Sequence, residues 1–138
     1  MNEYENVEII KQVFAAFQRH DLQTLLTLFT DDVDLRHPMS TAIWPWAGKC
    51  RGRAQVAEFF AGLAEAAEFE QVEPREFIVQ GAKAVVLLFE RFRIKATGRA
   101  VDNEFVIVFA FRDGKISQFY VYEDTAPIIA AIRDQEAL

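Results

Sequence analysis

The segment Phe105-Val106-Ile107-Val108-Phe109-Ala110-Phe111 constrains this chain more than any other. Its β-branched and aromatic residues read as a strand, and both of its alternating sets are apolar. An antiparallel strand with one solvated face alternates polar with apolar, so this one needs cover on two sides. Turns at Gly81-Ala82, Thr97-Gly98-Arg99 and Asp113-Gly114 set it among four strands: Phe69–Gln80, Val85–Ala96, Val101–Arg112 and Lys115–Glu123. Asp-Gly between two apolar runs is a strong hairpin signal. Pro74 directs the first of the four toward an edge or a bulge. Helices can cover one face of such a meander. The economical cover for the other is a second copy of the same sheet, so a homodimer packed through the sheet face is expected.

The helices lie upstream. Val7, Ile10, Val13, Phe14 and Phe17 recur at spacings of three and four, a buried helix face. Asp21 is a good N-cap for a short second helix carrying Leu22, Leu25, Leu26, Leu28 and Phe29. Val33, Leu35 and His37 then alternate with polar residues as a strand that Pro38 stops and that is expected at the sheet edge. Met39 to Gly52 reads as a loop containing both tryptophans, Trp44 and Trp46. A third helix opens at Arg53 or Ala54 and runs to about Ala67, and a last one runs from about Thr125 to Asp134 with Pro127 in its first turn. Helices followed by a meander make an α+β pattern, and 138 residues fit a single domain over residues 1–138.

Charge and cysteine content narrow the function. Fifteen basic against 21 acidic residues give a net charge of −6, which argues against nucleic acid or an anionic membrane as partner. Cys50 is the only cysteine, so no internal disulfide forms and a reducing compartment is expected. The start of the chain lacks the basic and apolar regions of a signal peptide, and no apolar run approaches 18 residues. A cytoplasmic protein is the expectation. Thirteen Phe, three Tyr and two Trp supply ring surface for a core, a pocket or an interface.

Several strings carry a resemblance: Trp46-Ala47-Gly48, Arg51-Gly52-Arg53, Glu58-Phe59-Phe60, Phe89-Glu90-Arg91-Phe92, Thr97-Gly98-Arg99, Phe111-Arg112-Asp113-Gly114-Lys115-Ile116 and Tyr122-Glu123-Asp124-Thr125. In this order and spacing the chain resembles the nuclear-transport-factor-2-like superfamily, in particular its SnoaL-like, ketosteroid-isomerase-related members. The resemblance implies a cystatin-like α+β fold, in which a cone-shaped, curved mixed sheet wraps around the N-terminal helices and encloses an apolar pocket. It places Phe14, Phe17, Leu35, Trp44, Trp46, Phe60, Phe109, Phe119 and Val121 as candidate substrate contacts. Arg91 and Arg93 share one strand face and would either hold a substrate carboxylate or form structural salt bridges.

The resemblance also sets what chemistry to look for. His37 falls where ketosteroid isomerases carry their base, and an imidazole titrates near neutral pH. The Tyr and second Asp of those enzymes fall instead at Val13 or Phe14 and at Ile107 or Val108. The carboxylates of limonene-epoxide-hydrolase-like members fall at Arg93 and Val121, which cannot replace them. Asp124 sits near the acid/base position of SnoaL-type cyclases, and is also a good N-cap for the last helix, the reading its position favours. Its neighbour Glu123 shares strand parity with Phe119 and Val121, and a carboxylate in an apolar cone would have a raised pKa. His37, Glu123 and Asp124 are therefore the candidate catalytic residues. Two isolated His and one Cys give no metal-ligand spacing, and no cofactor is implied. Two functions stay open: a cofactor-independent isomerase or cyclase moving a proton on a small apolar cyclic substrate, and a non-catalytic module binding a similar molecule. A dimerising scaffold with a filled cone is a third.

Overall fold

The computed structural model describes residues 2–134. Helix α1 (Glu3–Gln18) starts where the Asn2 side chain accepts the Glu5 N–H and ends in a left-handed turn. His20 adopts φ 59° there, and the Asp21 N–H reaches back to the Ala16 carbonyl at 2.9 Å. Asp21 then caps α2 (Leu22–Thr27) through the Thr24 N–H, as its position predicts. Strand β1 (Phe29–Arg36) follows directly, with Val33 and Leu35 fully buried.

The long loop after His37 returns as a three-residue strand, β2 (Lys49–Arg51), which the sequence reading takes as loop. Gly52 opens α3 (Gly52–Ala66). Strands β3 (Ala67–Gln80), β4 (Lys83–Ile94), β5 (Ala100–Arg112) and β6 (Lys115–Tyr122) form the antiparallel meander, and α4 (Ala126–Ile132) closes the described chain.

The six strands lie in the order β2-β1-β6-β5-β4-β3. Strand β1 runs parallel to β6, and β2 takes the edge beyond it. The expectation of an edge position for β1 is thus corrected: a short hairpin partner that composition alone does not announce covers its open side. Strand β3 is the other edge, and its register shifts around Pro74, which cannot donate to a ladder. The result is a mixed, curved, unclosed sheet wrapped around the helices, the cone-shaped α+β fold.

Along each central strand one alternating set faces inward. On β4 it is Val86, Leu88, Glu90, Phe92 and Ile94; on β5 it includes Val101, Asn103, Ile107 and Phe109. A bulge in the β5–β6 pairing keeps Ile116 and Phe119 on the same inner side although their numbers differ in parity. Phe29, Phe59, Phe92 and Phe109 are the largest fully buried side chains of the shared core. No helix among the described residues is long and apolar enough to cross a membrane.

Candidate active site

A cavity of about 70 Å³ lies between the inner sheet face and the helices. Val13, Phe14 and Phe17 of α1 and Phe59, Phe60 and Leu63 of α3 form one side. Phe69, Val72, Phe92, Phe105, Ile107, Phe119 and Val121 form the sheet side. Trp44 of the loop and Ile128 of α4 complete it, and the polar lining residues are His37, Glu90 and Glu123.

These three stand together. Pro38 holds His37 in extended backbone at the end of β1, and the following turn brings the Met39 N–H onto His37 Nδ1 at 3.1 Å. A backbone N–H can only donate, so Nδ1 is the unprotonated nitrogen and the ring proton is on Nε2. His37 Nε2 donates to Glu123 Oε1 at 2.6 Å, with side chains 6% and 3% exposed. The ring packs at a tilt against Phe59 and Trp44, at centroid distances of 5.4 and 5.9 Å.

Asn103 completes the cluster. It lies directly opposite Glu90 in the β4–β5 pairing. Its Nδ2 donates to Glu123 Oε2 at 2.7 Å and to Glu90 Oε1 at 3.3 Å. Burial pushes the Glu90 carboxyl well above the ordinary carboxylate range, and the nearby Glu123 charge adds to this against the opposing Asn103 hydrogen bond. Glu123 receives both the His37 and the Asn103 donors, whereas Glu90 has Asn103 alone. Among the described residues no arginine or lysine lines the cavity, and no His/Cys/Asp/Glu group could hold a metal ion.

Of the residues singled out from the sequence, His37, Glu123, Phe14, Phe17, Trp44, Phe60, Phe119 and Val121 line the cavity. The others stand elsewhere. Leu35 and Phe109 are fully buried in the core beneath it. Trp46 stacks behind Trp44 at 4.7 Å. Asp124 is not the N-cap either: that position is Thr125, and Asp124, one residue before it, accepts the Ala126 N–H across the turn that enters α4. Arg91 and Arg93 lie on the outer face because their strand parity is opposite to that of Glu90 and Phe92. Both pair with Glu70, and Arg91 also with Asp102.

Glu90 and Asn103 were not singled out. Their signal is present in the sequence: each is one polar residue in an otherwise apolar alternating set, Val86-Leu88-Glu90-Phe92-Ile94 and Val101-Asn103-Phe105-Ile107. A buried strand face tolerates such a residue only with a hydrogen-bond partner.

Comparison with known proteins fits this fold. The chain is 33% identical to a nuclear-transport-factor-2-like protein of Burkholderia xenovorans, with a TM-score of 0.84, covering 96% of this chain and 98% of that one. It is 28% identical to TerC, crystallised with polyporic acid, with a TM-score of 0.84 and 94% and 98% of the chains covered. It is also 28% identical over 123 residues to an uncharacterised Mycobacterium tuberculosis protein, 87% of this chain and 92% of that one. Residues 10–119 match the model of the SnoaL-like domain. With that match spanning most of the sequence, the chain belongs to the SnoaL-like domain family, within the nuclear-transport-factor-2-like superfamily.

Proposed function

We propose that the protein is a cofactor-independent isomerase- or cyclase-type enzyme that moves a proton on a small, apolar, ring-bearing substrate. The observation that carries this reading is the buried Glu90–Asn103–Glu123 cluster on one wall of an otherwise apolar cavity. Glu123 is the base, Glu90 the acid, and His37 a positioning residue, both of whose nitrogens are already engaged.

The step balances within the pair. A C–H bond next to a substrate carbonyl breaks and its proton passes to Glu123. The electron pair moves onto the carbonyl oxygen, which takes the Glu90 proton. The carboxyl pair holds one proton before and after, so no net charge builds up in the low-dielectric cavity. Return of a proton at the same or another carbon gives exchange or isomerisation. The absence of a lining cation favours a substrate that enters uncharged.

Similarity to TerC supports a small-molecule ligand and makes polyporic acid the first compound to test. The experiment is calorimetry with polyporic acid, which tests binding because its ring carbons beside the carbonyls carry no hydrogen, and incubation of the protein with a panel of cyclic ketones in D2O, read by mass spectrometry. Deuterium uptake next to the carbonyl that falls about 10²–10⁴-fold in Glu123→Gln is expected. Binding without any exchange or conversion would instead make the protein a binding module.

A further inference from the structure

The cavity is small for a ring. Its volume of about 70 Å³ is under half of the roughly 150 Å³ of a dry apolar cavity that takes up benzene. Space lies directly beyond one wall. A cleft of about 390 Å³ opens where the end of α1, α3 and β3 meet, and it shares Phe17, Phe69 and Val72 with the cavity. The Phe17 and Phe69 rings meet edge to face at 5.0 Å, so this half-buried pair is the partition. Phe17 also lines a further hollow of about 100 Å³ between the three N-terminal helices. Gln18 Nε2 donates to the Val72 carbonyl at 2.7 Å and ties α1 to β3 beside it.

The two spaces differ in chemistry. The cavity is apolar except at the carboxyl cluster. The cleft presents Gln18, His20, Gln71, Glu70 and Glu73. Glu70 is paired with Arg91 and Arg93, and Glu73 with Arg75 and with the Gln71 Nε2 donor at 2.7 Å, so the carboxylates already have partners and the Gln71 carbonyl oxygen and second N–H are the groups that face a ligand.

We infer that cavity and cleft are two halves of one binding site parted by Phe17, and that the ligand joins an apolar ring system inside to an uncharged hydrogen-bonding substituent outside. This rests on the cavity being a ligand site. It makes Phe17 the residue that sets ligand size and entry.

Two probes test it: 2-naphthol, and 2-naphthol carrying a carbamoylmethyl group at the 6-position. Calorimetry should give about tenfold tighter binding of the amide-bearing probe to the wild type, with that advantage falling below about twofold in Gln71→Ala. Stopped-flow tryptophan fluorescence should show both probes entering at least about tenfold faster in Phe17→Ala and slower in Phe17→Trp. Equal affinity of the two probes for the wild type, or entry rates unmoved by both Phe17 variants, would overturn the two-part site. Naphthol binding without the amide advantage would leave the proposed chemistry standing. Failure of both probes to bind would remove the two together.

Discussion

His37 Nε2 stands 2.6 Å from Glu123 Oε1, while the Met39 N–H occupies the other ring nitrogen. This makes the histidine a donor that orients a carboxylate. His37→Gln can keep an N–H near the Nε2 position, whereas His37→Ala cannot. Proton exchange on a cyclic ketone should therefore survive within about tenfold in His37→Gln and fall about 10²-fold or more in His37→Ala. Equal loss in both would return the base role to the imidazole. Loss of the donor to a buried carboxylate should also destabilise His37→Ala by about 1–3 kcal/mol, seen in urea unfolding.

Glu90 makes stability pH-dependent in an unusual direction for a carboxyl group. Its folded pKa is raised by burial and then by Glu123. The unfolded chain therefore releases this proton at a lower pH than the folded one. The stabilising contribution is complete below the ordinary carboxylate pKa and is lost as pH rises through the raised folded value, by up to about 1.4 kcal/mol per pH unit. Glu90→Gln mimics the protonated form, so its unfolding free energy should fall less than that of the wild type as pH rises above the ordinary carboxylate range. Parallel curves for the two proteins would contradict the assignment.

Gly62 on α3 faces the Trp46 ring so closely that an added Cβ would overlap it. Trp46 stacks on Trp44, which in turn packs on His37. Gly62→Ala should destabilise the protein by roughly 1–3 kcal/mol through overpacking. It should also shift tryptophan emission and weaken naphthol binding, because the displaced ring backs a cavity wall. Unchanged emission would show that Trp46 yields without moving Trp44.

The outer sheet face carries half-buried Val85, Leu87, Val106, Val108 and Tyr120, with Tyr122 57% exposed. We propose that a second copy covers it. Light scattering should give twice the 15.8 kDa chain mass, and Val108→Asp should return it to one chain mass. A monomeric wild type at micromolar concentration would refute this pairing.

The fold was legible because its signals are local. Asp113-Gly114 fixes a hairpin, Asp21 caps a helix, and alternation carries the inner face of β4 to β6. The parallel contact of β1 with β6 was not, since it joins segments far apart in the chain through a register no local pattern specifies. The site was half legible. His37 and Glu123 stand at strand ends beside a proline and a helix start, where the eye looks for function. Glu90 sits in mid-strand between Phe89 and Arg91, where a charged residue next to an arginine reads as a surface salt bridge. Strand parity sends Arg91 outward and Glu90 inward. Only the cross-strand pairing with Asn103 supplies the partner that makes its burial tolerable.

The central claim is that one proton is held on Glu90 inside the cavity at neutral pH. Carbon-13 NMR of protein labelled at the glutamate side-chain carboxyl reads it directly. At pH 7 one protonated glutamate signal is predicted, present in the wild type and in Glu68→Gln and absent in Glu90→Gln. A spectrum in which every glutamate is ionised at pH 7 would contradict the account.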